Sequence, residues 1–248
     1  MAPAPLANWP PEPAGHRTRG PVQPDTSDSG VTLDAPSIAA HARALGVDLT
    51  EAQSEKLARF ALLLTRWNRI HNLTAITRPE ELLSVHLLDS LSLAPELPAV
   101  PPLRILDAGA GAGLPGLPLA IALPGHHFTL VDAVSKKCAF MTQARLELGL
   151  HNVEVLHRRL EQLRGARFDV IVSRALGSLA ALVSLTRPAL APRGRWIAMK
   201  GRLPQQELAQ LPADVVAART VTLRVPLLDQ ERHLVVLQPV ASRPEERT

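Results

Sequence analysis

The chain of 248 residues contains one cysteine, no tyrosine and few other aromatic side chains. Cys138 alone cannot close an internal disulfide or build a cysteine-cluster metal site, so thiol redox chemistry is excluded. No apolar run approaches the roughly 18 to 20 residues that cross a bilayer, and residues 1–30 lack the basic-then-apolar order of a signal peptide. We therefore expect a cytoplasmic protein with no membrane segment.

Positive charge is concentrated in one part of the chain, although the net charge is only +4. Between Lys136 and Arg202, 13 lysines or arginines face four carboxylate side chains. This bias is typical of a nucleic-acid partner. The alternative is an arginine-rich composition on solvated helices, and both interpretations stay open at this point.

The order of elements predicts three parts before the end of the chain. Residues 1–36 hold eight prolines and almost no aliphatic pattern, which predicts a disordered leader. A helical segment is predicted over 37–98, with Thr50 and Gln53 as a capping box and Pro79 in a first helical turn. The apolar stripe of its long helix consists of Leu57, Phe60, Ala61, Leu64, Trp67 and Ile70.

From residue 99 to residue 240, short apolar runs alternate with amphipathic stretches, as in βαβ units. The runs LRILDAG, HFTLVDA, VEVLH, FDVIVSRA and GRWIAMKG predict five parallel strands, each of the first four followed by a helix. ARTVTLRVPL and ERHLVVLQPV are close enough for an antiparallel pair. We predict an α/β, Rossmann-like domain over 99–240 with a seven-stranded, mostly parallel sheet, an antiparallel last strand, and a flexible tail over 241–248.

The stretch ILDAGAGAGLPG, residues 105–116, places a glycine-rich turn directly after the first predicted strand. Gly109, Gly111 and Gly113 let backbone amides approach a ligand closely. The spacing suits a dinucleotide and S-adenosylmethionine equally. Asp132, which ends the second predicted strand, would bind a ribose in either case and does not discriminate between them.

Asp107 does discriminate between the two cofactors, because it directly precedes the glycines. The order D-A-G-A-G-A-G resembles the first motif of class I S-adenosylmethionine methyltransferases, in which this carboxylate helps to anchor the cationic end of the cofactor. In a dinucleotide loop the same carboxylate would face a pyrophosphate. We therefore expect S-adenosyl-L-methionine as cofactor, with a structural Asp107 that caps the loop as the alternative.

The residues after the fourth predicted strand bear on the methyl acceptor. A pyrimidine carbon needs a cysteine nucleophile, whereas Cys138 falls in a helix where a buried side chain is expected. An exocyclic amine needs a polar residue, two prolines and an aromatic, and this chain has SRAL at 173–176. Guanine N7 carries a free lone pair and needs no general base. A carboxylate or small-molecule acceptor also stays open.

Several stretches together are similar to one family: RWNRIHNLTAIT, HLLDSL, LDAGAGAGLPGLPLAI, FTLVDAVSKK, RRLEQL, FDVIVSRAL and AMKG. From about residue 50 to 240 the chain resembles the bacterial small-subunit ribosomal RNA guanine-N7 methyltransferases, also called glucose-inhibited division protein B. The resemblance implies methylation of one guanine, position 527 in the 530 loop of 16S ribosomal RNA, free or in the small subunit. We expect a monomer that needs no metal ion.

The family pattern implies cofactor contacts at Gly109, Leu114, Leu160, Glu161 and Arg174, with Glu161 near the adenine. Arg174 is also the expected catalytic residue, because an arginine at the carboxyl end of a strand can hold a phosphate or a flipped guanine. A salt bridge from Arg174 to Asp107 is the alternative.

Two further groups of residues are candidates for function. Lys136, Lys137 and Lys200 are expected on the cleft side of the sheet, as RNA phosphate contacts or as solvated surface. His86, Asp89 and Ser90 share one helix face. We predict that these three form a hydrogen-bonded seam against the Rossmann-like domain or the RNA edge of the cleft, because ligands of unlike hardness make a poor metal site.

Three other functions compete with an RNA methyltransferase. They are a methyltransferase for a small molecule or protein, a noncatalytic RNA-binding module that keeps the fold, and, more distantly, a nicotinamide oxidoreductase.

Overall fold

The computed structural model describes residues 32–165 and 167–240, so the predicted tail and most of the predicted leader lie outside the described residues. Its seven strands are β1 Arg104–Ala108, β2 His127–Asp132, β3 Val153–His157, β4 Phe168–Arg174, β5 Leu190–Lys200, β6 Val215–Leu223 and β7 Arg232–Pro239. They form one sheet in the order β3-β2-β1-β4-β5-β7-β6. Strands β1 to β5 are parallel, and β7 runs antiparallel to both β5 and β6. The predicted α/β sheet with an antiparallel last strand is confirmed.

Alternate residues of the central strands enter two separate hydrophobic layers, because successive side chains of a strand point to opposite faces of the sheet. Ile105 and Val170 belong to one layer, and Leu106 and Ile171 belong to the other. All four side chains are buried, as expected for parallel strands covered on both faces.

The helical segment packs into the first of these layers. Helix α1 covers Ala35–Arg43, and helix α2 covers Glu51–His71 behind the predicted capping box. In that box the Gln53 side chain accepts from the Thr50 N–H at 2.8 Å, and the Gln53 N–H donates to the Thr50 hydroxyl at 3.3 Å. The prediction for Ile70 is wrong. Its side chain is 77% exposed because it lies on the solvent side of α2.

Gln53 also reaches beyond its own helix. Its Nε2 donates to the carbonyls of Ile121 and Ala122, both at 3.0 Å. These carbonyls end helix α4, Gly116–Ala122, which follows the glycine-rich turn after β1. One side chain therefore satisfies polar groups at the start of α2 and at the end of α4.

A third helical stretch, α3, covers residues 79–91 and begins at Pro79 as predicted. Its first turn, Pro79–Glu81, and its last, Asp89–Leu91, are α-helical, and Leu82–Leu88 between them is a π-helix. Wide turns of this kind are rare and are often found at functional sites. Here the π-helical turn carries His86 and leads directly into Asp89.

The remaining helices are α5 Ser135–Glu147, α6 Leu179–Thr186 and α7 Gln205–Ala209. The prediction of a helix after β3 is wrong, since a single 3-10 turn, Leu160–Gln162, joins β3 to β4. The connection from residue 158 to residue 167 is short and contains four arginines, which leaves too little apolar sequence for a packed helix.

Candidate active site

The glycine-rich turn at the carboxyl end of β1 depends on residues without side chains. Gly109 and Gly113 adopt φ angles of +71° and +76°, a region that other residues rarely enter. A Cβ on Gly109 would lie 2.7 Å from a Leu176 side-chain carbon, and one on Gly113 would lie 2.3 Å from Leu117. Neither position therefore has room for a side chain, because Leu176 and Leu117 pack directly against the backbone of the turn.

Asp107 lies beneath this turn and is fully buried. Its Oδ2 accepts a hydrogen bond from the Gly116 N–H at 2.8 Å, and its Oδ1 has no partner among the described residues. Burial raises the pKa of Asp107 to about 7, against the opposing effects of the Gly116 N–H and the Arg174 charge. A buried carboxylate oxygen without a partner fits the predicted role of binding a cationic group.

Asp132 ends β2 and holds the same turn in place. Its Oδ2 accepts from the Gly111 N–H at 2.9 Å, and its Oδ1 accepts from the Val134 N–H at 2.8 Å. Each carboxylate oxygen can accept more than one hydrogen bond, so these contacts leave capacity for a ribose hydroxyl.

A cavity of about 230 Å³ opens beside this turn, and we call it the glycine-loop cavity. Four residues predicted to contact the cofactor line it together: Gly109, Asp132, Leu160 and Glu161. Gly111, Gly113, Leu114, Asp107 and Arg174 do not line it. The first three shape the turn, Leu114 being buried within it, and Asp107 lies beneath the turn.

Arg158 and Arg159 also line the glycine-loop cavity, although neither was predicted as a site residue from the sequence. Both precede the 3-10 turn after β3, where the motif RRLEQL begins. The paired arginines within that motif were the available signal.

A second cavity, of about 460 Å³, lies between α3 and the ends of β4, β5 and β7, and we call it the arginine cavity. Its lining residues are Val85, His86, Asp89, Arg174, Ala175, Met199, Lys200, Gly201, Gln230 and Arg232. Ala175 lines this cavity and the next residue, Leu176, lines the glycine-loop cavity. Ala175 has a φ of +68°, so a strained backbone separates the two cavities.

Arg174 is held by α3 and not by Asp107. Its guanidinium donates to the Val85 carbonyl at 2.9 Å and to Asp89 Oδ2 at 3.3 Å. The other oxygen of Asp89 forms an ion pair with Arg232 Nε, also at 3.3 Å. The predicted seam is confirmed for Asp89, which joins α3, β4 and β7. The alternative salt bridge between Arg174 and Asp107 is absent.

The other two predicted seam residues, His86 and Ser90, form their hydrogen bonds within the helical segment and not with the sheet. The His86 Nε2 lies 2.8 Å from the Thr74 hydroxyl, and Ser90 donates its hydroxyl to the His86 carbonyl at 2.6 Å. Burial, with a smaller contribution from the Arg174 charge, lowers the pKa of His86 to about 4. Among residues 32–165 and 167–240, no three His, Cys, Asp or Glu side chains are grouped to hold a metal ion.

The three predicted RNA-binding lysines contact protein groups. Lys136 donates to the His71 carbonyl at 2.7 Å, and Lys137 lies 3.7 Å from an Asp132 carboxylate oxygen. Lys200 pairs with Glu207 at 2.8 Å and lines the arginine cavity. Their contact with RNA phosphates stays a prediction.

Comparison with known proteins identifies the family of the chain. The profile of a family described as "GidB: rRNA small subunit methyltransferase G" matches residues 53–235, which is more than half of the sequence. The chain belongs to the GidB family. The resemblance predicted from sequence is thereby confirmed.

Two curated relatives illustrate how closely the chain follows the GidB family. Over 194 residues it is 49% identical to the Ribosomal RNA small subunit methyltransferase G of Laribacter hongkongensis, covering 78% of this chain and 92% of that protein. Over 196 residues it is 47% identical to the protein of the same name from Methylobacillus flagellatus, covering 79% and 93%.

Solved structures support the fold of this GidB family member. A SAM dependent methyltransferase from Aquifex aeolicus superposes with a TM-score of 0.51 at 18% identity, covering 67% of this chain and 96% of that one. The predicted class I methyltransferase fold is confirmed. Fold and family both agree with S-adenosylmethionine as the cofactor. No helix among the described residues is both long enough and apolar enough to span a membrane.

Proposed function

We propose that this protein transfers a methyl group from S-adenosylmethionine to N7 of a guanine in 16S ribosomal RNA, at position 527. The observation that carries the proposal is the pair of cavities on either side of residues 175 and 176. One cavity has the glycine turn and carboxylates of a methyl-donor site, and the other is lined by three cationic side chains. We further propose that the protein acts in the cytoplasm as a monomer.

The residues of the glycine-loop cavity fit the proposed cofactor. Bound there, S-adenosylmethionine supplies an electrophilic methyl group on a sulfonium. Asp132 accepts from the ribose while it holds the turn. Asp107 does not line the cavity, and its unpaired oxygen would reach the cationic end from beneath the turn. Glu161 and Leu160 enclose the adenine side, since both line the same cavity.

The residues of the arginine cavity fit an acceptor that loses no proton before attack. Asp89 is paired with two guanidinium groups, and His86 is neutral with Nε2 against a hydroxyl. The His86 Nδ1 has no partner but is buried, so neither group offers the cavity an accessible base, and guanine N7 requires none. The protein contributes position and exclusion of water, which suffice for an in-line displacement.

Arg174 orients the acceptor in this proposal. One of its nitrogens is used by Val85 and Asp89, which leaves N–H groups for a phosphate or for guanine O6. Arginine that also bonded N7 would block the reacting lone pair. We therefore assign the free N–H groups of Arg174 to O6 or to phosphate.

Methyl transfer to small ribosomal subunits that lack this modification tests the proposal. Labelled S-adenosylmethionine is supplied, and the methylated nucleotide is mapped by mass spectrometry. We expect label in 7-methylguanine at position 527, and a strong reduction with Arg174→Lys, which keeps the charge but not the forked geometry. Label in protein or in a small metabolite, or binding of RNA with no transfer, would overturn the proposal.

A further inference from the structure

A third cavity, of about 510 Å³, lies where α2 leads into α3. We call it the corner groove. Its polar lining comprises Thr65, Asn68, Arg69, Asn72, Thr74 and Thr77. No carboxylate side chain lines it. A groove with one cation and several amide and hydroxyl groups suits a polar, negatively charged ligand.

Positive charge near the corner groove is not neutralised by acidic side chains. Arg69 is exposed, and no carboxylate of the described residues pairs with it. Lys136 donates to the His71 carbonyl at the end of α2, which brings a second cation to the partial negative charge of that helix end. Arg69 is therefore available to an anion from outside the protein.

Polar groups in the groove also retain donors. Asn68 accepts from the Thr74 N–H at 2.9 Å through Oδ1, and its Nδ2 forms no hydrogen bond with the described residues. Asn72 and Thr77 are exposed on the groove wall. These groups can bind sugar hydroxyls or base edges of an unpaired strand.

A hydrogen-bonded side-chain pair connects the lining of the corner groove with that of the arginine cavity. Thr74 lines the groove, His86 lines the arginine cavity, and Thr74 Oγ1 lies 2.8 Å from His86 Nε2. A strand with one nucleotide in the arginine cavity can continue across this pair into the groove.

We propose that the corner groove binds the RNA strand next to the acceptor nucleotide, with Arg69 on a phosphate. The inference rests on the proposed function, because it takes the arginine cavity as the acceptor site. The groove holds the flanking strand and so fixes which nucleotide enters the arginine cavity. Phosphate contacts of this kind position a nucleic acid without reading its sequence.

Arg69→Ala tests the groove, with Arg66→Ala as the matched control. Both arginines are exposed on α2, but only Arg69 lines the groove. We expect Arg69→Ala to raise KM for RNA roughly tenfold at unchanged kcat and unchanged S-adenosylhomocysteine affinity, the effect of one lost charge-assisted contact. The slope of log affinity against log salt should fall by about 0.7, whereas Arg66→Ala should change KM less than about twofold.

A second pair of variants tests the groove without removing a contact. Thr77→Glu adds a carboxylate to the exposed groove wall and should weaken binding of a single-stranded RNA oligonucleotide, measured by fluorescence anisotropy. Thr77→Gln should leave binding close to that of the wild type.

Two results would overturn the inference. Equal losses with Arg69→Ala and Arg66→Ala would indicate diffuse attraction, and displacement of the RNA oligonucleotide from the groove by an acidic peptide at equal concentration would indicate a peptide site. The proposed function is judged separately, because it fails if the wild-type protein transfers no methyl group to small subunits. The groove is then still assessed by oligonucleotide binding.

Discussion

Asp107→Asn should change the pH dependence of stability, because the wild-type carboxyl is fully buried. Its pKa in the folded protein is about 7, compared with 3.8 for a solvated aspartate. Between these two pH values the folded protein binds a proton that the unfolded chain has released. The contribution of Asp107 to stability is therefore fully present below about pH 4 and is lost as pH rises to about 7. A shift of about three units corresponds to about 4 kcal/mol.

Urea unfolding of both proteins without cofactor, from about pH 4 to about pH 8, measures this effect. Relative to the wild type, Asp107→Asn should gain about 4 kcal/mol of unfolding free energy over this range, because asparagine remains neutral. Asp48→Asn is the matched control, since Asp48 is exposed in an ion pair with Arg43. A pH-independent difference between wild type and Asp107→Asn would refute the argument from burial.

The same variant tests the proposed contact between Asp107 and the cofactor. A cationic amino group next to the unpaired oxygen favours the ionised carboxylate, so the wild type should bind S-adenosylhomocysteine more tightly as pH rises toward 7. Asp107→Asn should bind more weakly by about 1–3 kcal/mol and without this pH dependence, as measured by calorimetry. Equal affinities at all pH values would remove the assigned role.

Three further predictions concern the seam and the turn. His86 has a folded pKa of about 4, below its unfolded value of 6.5, so its stabilising contribution is present above about pH 6.5 and is lost as pH falls. Relative to His86→Gln, the wild type should lose about 3 kcal/mol of unfolding free energy between about pH 7 and pH 4, as measured by urea unfolding. Parallel pH curves for the two proteins would contradict this. Gly113→Ala should destabilise the protein by about 2 kcal/mol more than Gly111→Ala. Both glycines have positive φ, but a Cβ on Gly113 would clash with Leu117, whereas one on Gly111 meets no atom nearer than 4.0 Å. Equal shifts in thermal unfolding would count against the steric argument. Asp89→Ala should lower the free energy of unfolding by about 3 kcal/mol, because it leaves two guanidinium groups without a counter-charge. Arg232→Gln should cost less, because Asp89 then keeps its ion pair with Arg174. The reverse order in thermal unfolding would contradict the role of Asp89 in the seam.

The strands along the chain and the cofactor turn could be predicted because they depend on local sequence. Apolar runs at the right spacing mark buried parallel strands, and the order of Asp107 and the glycines marks the turn. The start of α2 could likewise be predicted, because Thr50 and Gln53 have the sequence spacing of a capping box. Such features involve residues close together in the chain, so sequence alone contains them.

The partners of Arg174 could not be predicted, since they lie 85 and 89 residues away in the chain. Sequence placed Arg174 at the end of β4 and proposed Asp107 as a counter-charge. Whether Asp107 or Asp89 supplies that charge depends on how α3 packs against the sheet, which no local pattern specifies. The same holds for Ile70. Its spacing along α2 fits the buried stripe, but its side chain lies on the solvent side of the helix.

The Gln53 side chain has a consequence for how this protein can be divided. It closes the end of a helix that belongs to the cofactor-binding half, while its own helix contributes Leu57 and Phe60 to a core shared with that half. A fragment that began at residue 99 would expose two carbonyls and an apolar surface to water. We therefore expect such a fragment to be less stable than the chain that includes α2, and truncation experiments should keep both parts of the shared core.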